Sequence, residues 1–419
     1  MILSSHVDIK TQSPLAPDSI EALRESWSAR PGYMNFGTFG PSTRSVLDAE
    51  HRARESMNAD FGRFFEEHLE AGYVRERLAG VADFLDAAVD DVVWLSGTSE
   101  AMNLVAQRLQ LPPGAEILTH NHEHPAGIYP WMYRAQRSDV TLRQLDYLIG
   151  AGNAEEIVDF FAKAIGSKTR VLSFSHVNYT DGAVLPVAAI CRMARERGVI
   201  TVVDGAQAPG MLRVSAAELG CDFYATSLHK WTAGIYGSGA LYVSPAVQDQ
   251  LDPLMVETFH GFAEKTRFGQ AAAPAGLDFR RDWPRCMHRF SALFIYAGPQ
   301  LAGTLAAINE WQTLGLQRVE QEVIRLGDRL REGLQAIRGV KLHTPLSMAA
   351  GISSLEIAGL APGQVTRRLR QDIDVLGRVI DHSPIGFTAI RLCTHVFNSD
   401  DTVDRVIECI EQIATESSC

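Results

Sequence analysis

Between residues 92 and 243, short apolar runs bounded by glycine and polar residues alternate with stretches of helical periodicity. Such runs predict buried strands, and their alternation with helices is typical of β-α-β units in a largely parallel sheet. The seven predicted strands lie near residues 92–96, 116–120, 142–147, 170–177, 200–204, 223–227 and 239–243. The predicted fold class is therefore α/β, with a mostly parallel seven-stranded sheet.

The C-terminal third of the chain has a different pattern, in which long helical stretches precede shorter apolar runs. The predicted elements are helices over residues 297–314, 316–337 and 401–413 and strands over residues 340–343, 351–357, 375–380 and 389–392. We expect an N-terminal arm over residues 1–30, a large domain over 31–300 and a smaller C-terminal α/β domain over 301–419.

Composition narrows the classes of function. The 419-residue chain is 46% hydrophobic and 21% charged, as in ordinary globular proteins. Its formal net charge of -11 argues against nucleic acid and anionic membrane surfaces as partners. No apolar run approaches the roughly 20 residues that cross a bilayer, and the N-terminal residues lack a signal-peptide pattern. Six scattered cysteines without a Cys-x-x-Cys pair favour reduced thiols, so we expect a cytoplasmic protein.

The segment around Lys230 carries the strongest chemical signal. Lys230 lies in Ser-Leu-His-Lys-Trp, between an apolar strand and a glycine-rich turn. A lysine amine becomes a nucleophile for carbonyl carbon when burial or a neighbouring cation lowers its pKa. Ser227 and His229 beside it are hydrogen-bonding residues of the kind that hold a phosphate. Asp204 ends another apolar strand 26 positions earlier and is followed by a turn of small residues.

This pairing of Asp204 with Lys230 resembles the pyridoxal 5′-phosphate (PLP) enzymes of fold type I, specifically the class V aminotransferase family. The wording Ser-Leu-His-Lys-Trp followed by Gly-Ser-Gly-Ala-Leu-Tyr-Val is most similar to the isopenicillin-N-epimerase-like members, which stand beside the cysteine desulfurases and kynureninase. The resemblance implies PLP fold type I with PLP as the cofactor. It also implies that Lys230 is the Schiff-base lysine and the base at the substrate Cα, and that Asp204 pairs with the pyridine N–H.

The segment from Val92 to Asn103 predicts a strand, a tight turn and a helix. Free N–H groups and the positive dipole end make a helix N-terminus an anion site, although the same residues also form an ordinary helix cap. The family has a similar Gly-Thr-Thr-Glu segment here. The resemblance therefore implies that Gly97, Thr98 and Ser99 bind the phosphate.

Alternating histidines follow the second predicted strand: His120, His122 and His124. On a continuing strand they would share one face with Glu123 nearby, so a metal site is an alternative. Because Pro125 breaks the strand and no other ligand cluster appears, we expect no metal. Alignment of the following Pro-Trp with the desulfurase motif implies instead that His124 stacks on the PLP ring, where it could also move protons.

The resemblance implies two further cofactor contacts. The segment His-Val-Asn-Tyr is closest to the kynureninase wording. The cofactor-contacting asparagine of the desulfurases matches Asn178 by chemistry but Tyr179 by alignment of the following glycines, so both remain candidates. Gln207 takes the position that contacts the ring oxygen.

Two predicted residues face the substrate. Arg391 lies in a segment similar to the family's Arg-x-Ser-x-x-x-Tyr-Asn, whose arginine grips the substrate carboxylate through its planar fork. Asn35 lies in the glycine-punctuated segment 33–41, similar to one that lines the substrate side of the pocket, although a plain turn is the alternative. The desulfurases' mobile loop with its nucleophilic cysteine has no counterpart in residues 377–386, and Cys393 is too close to Arg391 to replace it.

The predicted site residues share one position in the predicted fold. Thr98, His124, Asn178, Asp204 and Lys230 all come just after the carboxyl ends of predicted strands. Ligands of parallel sheets bind beyond those ends. The pattern therefore predicts a single active site, which the resemblance assigns to a small amino-acid substrate.

The expected reaction is β-elimination after removal of the Cα proton, with a carbon–sulfur bond as the bond that breaks and His124 as a candidate proton donor to the leaving group. Epimerisation by reprotonation and transamination are alternatives, and a non-catalytic PLP-binding protein is the alternative of a different class. Because relatives build each pocket from two chains, we also expect a homodimer. The arginine-rich segment 267–289 is the candidate contributor to the partner's pocket.

Overall fold

A computed structural model describes residues 18–27, 29–68, 73–147, 149–252, 298–382 and 385–417. The arginine-rich segment 267–289, the candidate contributor to a partner's pocket, lies outside the described residues. Among the helices that are described, none combines the length and apolarity that a membrane crossing requires.

The first 252 residues supply nine helices and seven strands among the described residues. The helices are α1 (Ile20–Ser26), α2 (Arg44–Ala59), α3 (Phe61–His68), α4 (Tyr73–Phe84), α5 (Thr98–Arg108), α6 (Pro125–Arg137), α7 (Ala154–Ala164), α8 (Val187–Arg195) and α9 (Ala216–Leu219). The strands are β1 (Val92–Leu95), β2 (Ala115–His120), β3 (Val140–Leu145), β4 (Thr169–Ser175), β5 (Ile200–Asp204), β6 (Phe223–Ser227) and β7 (Gly239–Val243).

These seven strands form one sheet in the order β1-β7-β6-β5-β4-β2-β3. Only β7 runs against its neighbours, and the other adjacent pairs are parallel. The prediction of a mostly parallel seven-stranded sheet is confirmed. The carboxyl ends of β1, β2, β4, β5 and β6 consequently lie along one edge.

Helices cover both faces of this sheet, which explains why its strands read as continuous apolar runs. In β5, the neighbouring residues Val202 and Val203 belong to different core clusters on opposite faces. Val203 packs in the cluster that contains Ile190 of α8, and Val202 packs in the one that contains Leu104 of α5. Alternation of side chains along a strand produces this division.

The C-terminal part forms a second, antiparallel sheet. Its helices are α10 (Gly298–Leu314), α11 (Leu316–Gln335), α12 (Pro362–Ile373) and α13 (Asp400–Ser417). Its strands are β8 (Val340–Leu342), β9 (Ile352–Ile357), β10 (Arg378–His382) and β11 (Phe387–Cys393), in the order β10-β11-β9-β8. Buried residues of α11, β9, β11 and α13, such as Leu326, Leu355, Ile390 and Val406, form its own core.

Strand β10 begins at Arg378, later than the predicted strand over residues 375–380. The apolar residue Leu376 bonds instead to the segment before the first glycine turn of the chain, since its N–H donates to the Gly32 carbonyl at 2.8 Å. Its carbonyl accepts from the N–H of Met34 at 3.1 Å. A long-range backbone pairing therefore uses residues that the apolar pattern assigned to the strand.

The glycine-punctuated segment 33–41 is more than a plain turn. It runs between the backbone of Lys230 and the side chain of Arg391, and Gly40 donates its N–H to the His229 carbonyl at 2.9 Å. A Cβ on Gly40 would lie 1.8 Å from the Lys230 carbonyl oxygen, and one on Gly37 would lie 2.9 Å from Cζ of Arg391. Only residues without a side chain allow this approach.

Replacement of Gly40 by alanine should lower the free energy of unfolding by about 2 kcal/mol or more, because the new methyl group overlaps a backbone carbonyl that cannot move freely. Chemical denaturation measures this change. The matched control is Gly363→Ala in α12, where an added Cβ meets no atom within 4 Å and alanine is the better helix former, so the stability should not fall. Equal stability of the two variants would contradict the close approach.

Candidate active site

The predicted site residues meet at the carboxyl edge of the large sheet. Asp204 is the last residue of β5 and Ser227 the last residue of β6. Thr98 begins α5 directly after β1, and His124 caps α6 directly after β2. The parallel arrangement of these strands brings the four segments together, as their shared position after strand ends predicts.

Lys230 is partly buried in this edge. Its pKa is lowered from 10.5 to about 8, mainly by burial; the Asp204 carboxylate opposes this shift, and the charges of Arg391 and Arg378 add to it. A substantial share of the amine is therefore neutral near physiological pH. Neutral lysine is the form that attacks carbonyl carbon and accepts protons.

Asp204 is buried, and its Oδ1 accepts the N–H of Ala206 at 2.9 Å. Burial and then the neighbouring Glu123 carboxylate raise the pKa of Asp204 to about 6. Glu123 is itself held by the Ser175 N–H and hydroxyl, both at 2.7 Å, and by His120 Nε2 at 2.6 Å. The raised pKa makes Asp204 a strong acceptor for a pyridine N–H.

A small cradle for an anion lies at the start of α5. Gly97 has a φ of 151°, and the Thr98 N–H donates to Ser227 Oγ at 3.1 Å, while the two hydroxyls lie 2.9 Å apart. A Cβ on Gly97 would lie 3.2 Å from the His229 ring and 3.3 Å from Ser227 Oγ, so glycine keeps the cradle open. Ser99 is exposed at the same helix end.

His124 faces solvent from the start of α6, and its Nδ1 accepts the N–H of Ala126 at 3.1 Å. Desolvation of the ring by neighbouring atoms, and then the charges of Lys230 and Arg391, lower the pKa of His124. The ring is therefore neutral at physiological pH. Since Nδ1 accepts a hydrogen bond, the single ring proton resides on Nε2.

The two candidates Asn178 and Tyr179 have different surroundings. Asn178 is fully buried, and its amide faces the Asp181 carboxylate and the Tyr147 hydroxyl. The Tyr179 ring meets His124 edge to face, with centroids 5.1 Å apart. Both residues stay candidates for the cofactor contact, since Tyr179 lies beside His124 and neither polar atom of the Asn178 side chain has a hydrogen-bond partner in the described part of the chain.

Gln207 is buried and engaged at both ends of its amide. Its Nε2 donates to the Gly37 carbonyl at 3.0 Å, and its Oε1 accepts from Trp231 Nε1 at 2.8 Å. An amide nitrogen has two hydrogens, so one donor remains for a ring oxygen. Gln207 also fixes the turn that carries Asn35 and Thr38.

Arg391 is buried without an acidic partner among the described residues. Its Nη1 donates to the Tyr179 carbonyl at 3.2 Å, and its Nη2 donates to Thr38 Oγ1 at 3.0 Å. Asn35 Oδ1 lies 3.5 Å from Nη2, and the Cys393 thiol lies beside the guanidinium. A buried cation in a neutral setting is arranged to receive an anion.

The three alternating histidines do not converge. His120 pairs with Glu123, His122 Nδ1 lies 3.0 Å from Thr180 Oγ1, and His124 caps α6. In the described ranges, no group of three or more histidine, cysteine or acidic side chains is arranged to hold a metal ion. The structure therefore gives each histidine a separate role.

Sequence reasoning missed three residues of this site. Thr38 joins the substrate-side turn to Arg391, Arg378 approaches the same hydroxyl, and Glu123 lies behind Asp204. Glu123 was visible only as a neighbour of the histidines. Arg378 lies in segment 377–386, which lacks the cysteine loop of the desulfurases. Its pairing with Arg391 across the sheet depends on strand register, which the sequence does not show.

The chemistry of this donor set fits PLP. A helix N-terminus with two hydroxyls suits a phosphate, a buried carboxylate suits a pyridine N–H, and a low-pKa lysine suits an aldehyde. At the other end of the pocket lies the guanidinium of Arg391, which has no acidic partner among the described residues and therefore suits a carboxylate.

Comparisons with known proteins agree with this fit. Residues 42–379 match the sequence profile of the family described as aminotransferase class-V. The chain is 32% identical to an isopenicillin N epimerase from Amycolatopsis lactamdurans, covering 93% of this chain and 98% of that protein. It is 26% identical to a probable cysteine desulfurase from Methanothermobacter thermautotrophicus, covering 99% of both.

A solved structure of a mutant of the cystine C–S lyase C-DES, with glycine covalently linked to its PLP cofactor, has a TM-score of 0.80 to this chain. The two share 24% identity, and the match covers 93% of this chain and 98% of the other. This likeness confirms PLP fold type I. The profile match and the 32% identical relative establish the rest: the chain belongs to the class V aminotransferase family of PLP-dependent enzymes.

Proposed function

We propose that this PLP-dependent enzyme is a lyase that removes the Cα proton of an amino acid and expels a sulfur substituent from Cβ. The observation that carries the proposal is the pairing of a low-pKa Lys230 with a neutral His124. The first supplies a base, and the second supplies a hydrogen-bond donor that is a weak acid. This combination suits a leaving group that departs as a stable anion.

The residues that would hold PLP are those of the cradle and of the sheet edge. The N-terminus of α5 at Gly97 and Thr98, with Ser99, Ser227 and His229, would hold the phosphate. Asp204 would bind the pyridine N–H, and Gln207 would bind the ring oxygen. His124 would lie on the ring face, and Tyr179 or Asn178 would make a further contact with the cofactor. PLP bound there supplies an electron sink for the carbanion at Cα.

Lys230 has the base role in this proposal. Its Nζ takes the Cα proton, since burial and the nearby arginines keep the free amine substantially neutral near pH 8. Arg391 holds the substrate carboxylate, with Asn35 and Thr38 fixing its guanidinium from the other side. The carboxylate grip sets which bond at Cα faces the base.

His124 favours sulfur over oxygen as the atom that leaves. Its Nε2–H can donate a hydrogen bond, but a neutral imidazole does not readily give up its proton. A thiol with a pKa of about 8.5 leaves as thiolate with this help alone, whereas an alkoxide requires protonation. We therefore assign His124 the role of hydrogen-bond donor to the leaving sulfur. The relatives named cysteine desulfurases also support carbon–sulfur chemistry.

Epimerisation is the second candidate, and the relatives named isopenicillin N epimerase, at 32% and 29% identity, favour it. Reprotonation of Cα from the face opposite Lys230 needs an acid there. Burial raises the pKa of Tyr179 to about 12, and His124 is neutral, so both are weak acids at physiological pH. We therefore propose elimination ahead of epimerisation.

S-Methylcysteine in deuterated water should yield methanethiol, and the released enamine should hydrolyse to pyruvate and ammonia. O-Methylserine, a matched substrate with a poorer leaving group, should react at least about tenfold more slowly, because His124 cannot protonate the oxygen. Product analysis by mass spectrometry and NMR measures both. Recovery of Cα-deuterated substrate of inverted configuration, without keto acid, would contradict the lyase and support the epimerase.

We also propose a homodimer. The support is an exposed aromatic pair at the mouth of the cradle: Tyr236 is 70% exposed, and its ring lies 5.3 Å from Phe39 and 5.2 Å from His229. Light scattering should give the mass of two chains, and Tyr236→Asp should weaken self-association. Leu346→Asp, at a comparably exposed position, serves as the matched control. A fully active monomer would contradict the proposal.

A further inference from the structure

Two arginine side chains lie next to each other on the substrate side of the pocket. Arg378 of β10 and Arg391 of β11 are directly paired across the antiparallel ladder. Both donate to the same atom, Thr38 Oγ1, from Arg378 Nη1 at 2.9 Å and from Arg391 Nη2 at 3.0 Å. The two guanidinium groups are therefore held side by side at one end of the pocket.

The groups that hold this pair are neutral. Thr38 Oγ1 donates a hydrogen bond to Asn35 Oδ1 at 2.8 Å and accepts one from each arginine. In the part of the chain that the structure describes, no ion pair joins Arg378 or Arg391 to a carboxylate. Neighbouring like charges without a counter-ion repel each other, so an anionic ligand would relieve the arrangement.

Two acids of the site, Asp204 and Glu123, are engaged elsewhere. Asp204 accepts the Ala206 N–H, and Glu123 accepts from Ser175 and pairs with His120. Both lie at the pyridine side, where a negative charge suits the cofactor. The two guanidinium groups therefore remain available to the substrate.

One carboxylate does not account for both arginines. A single guanidinium can bind both oxygens of a carboxylate through two parallel hydrogen bonds, so Arg391 is sufficient for the substrate's α-carboxylate. Arg391 is buried, while Arg378 is exposed at the rim of the same pocket. A group bound by Arg378 would thus lie farther out, at the end of the substrate's side chain.

We propose that the substrate is an α-amino acid whose side chain ends in a second anionic group, a carboxylate or sulfonate, and that Arg378 binds this group. The proposal deepens the proposed function and rests on its assignment of Arg391 to the α-carboxylate. Arg378 is then the residue that selects dianionic over neutral side chains. The selection follows from charge, because the guanidinium groups of Arg378 and Arg391 would each bind one of the substrate's two anionic groups.

Equilibrium binding tests this without turnover. Isothermal calorimetry on the PLP-loaded enzyme should show that glutarate binds at least about tenfold more tightly than its monoamide, which has the same size but one charge fewer. Arg378→Gln should bring the affinity for glutarate down to that of the monoamide and leave the monoamide unchanged. Arg378→Lys should retain part of the preference. Arg367→Gln, at an exposed position of α12, removes the same charge and should retain all of it.

Two results would overturn the proposal. Equal weakening of glutarate and monoamide by Arg378→Gln would mean that both arginines hold the same carboxylate, and an unchanged preference would mean that Arg378 binds no anion. Sulfonate as the second group is tested in the same way with 4-sulfobutanoate, which should show the same dependence on Arg378.

A second measurement separates this proposal from the lyase. S-Carboxymethylcysteine should give a kcat/KM at least about tenfold above that of S-carbamoylmethylcysteine, and Arg378→Gln should remove the difference. If neither compound releases a thiol while the glutarate preference depends on Arg378, the lyase fails and the second anion site stands. If both release thiol equally in the parent enzyme and glutarate shows no preference, the lyase stands and the site fails.

Discussion

The active-site chemistry depends on three cations, Lys230, Arg378 and Arg391, that lie together at one pocket and form no ion pair with a carboxylate among the described residues. Removal of a charged amine from water raises its free energy, so a buried lysine tends towards its neutral form. For Lys230, burial and two nearby guanidinium groups lower the pKa, while Asp204 and, to a smaller extent, Cys393 oppose them. The result is an amine that is reactive near neutral pH and a pocket that attracts anions. Desolvation and the same charges lower the pKa of His124, so its ring is neutral and can donate one hydrogen bond.

The fold maintains this arrangement by bringing distant segments together. Parallel strands deliver Asp204, Ser227 and Lys230 to one edge of the large sheet. The small antiparallel sheet supplies the two arginines from adjacent strands. The segment 33–41 joins the two, because Gly37 and Gly40 let it pass against Arg391 and the Lys230 backbone. A change in this segment would therefore disturb both Lys230, the proposed base, and Arg391, the proposed carboxylate-binding residue.

Local patterns were sufficient to predict most of the large sheet and the shared edge of the site. Apolar runs followed by small or polar residues specify strands and their ends, so the positions of Asp204 and Lys230 follow from sequence. The resemblance to a known family added the cofactor, which composition and periodicity do not specify.

Features that depend on long-range contacts could not be predicted in this way. The late start of β10 follows from the bonds of Leu376 to Gly32 and Met34, which are more than 300 residues away in sequence. The pairing of Arg378 with Arg391 depends on hairpin register, and the choice between Asn178 and Tyr179 depends on which side chain faces Asp181. Each of these is decided by packing rather than by local propensity.

The most direct test is the rate at which the cofactor-free enzyme binds PLP, measured by absorbance over a range of pH. Borohydride reduction then makes the bond to PLP permanent, and peptide mapping identifies the lysine that carries it. Neutral amine is the reacting form, so the rate should rise with pH through a midpoint of about 8, and the label should be on Lys230. Arg391→Gln should move the midpoint upward, since loss of a neighbouring positive charge raises the pKa of Lys230. A midpoint near the ordinary lysine value of 10.5, or a label on another lysine, would contradict a lowered pKa at Lys230.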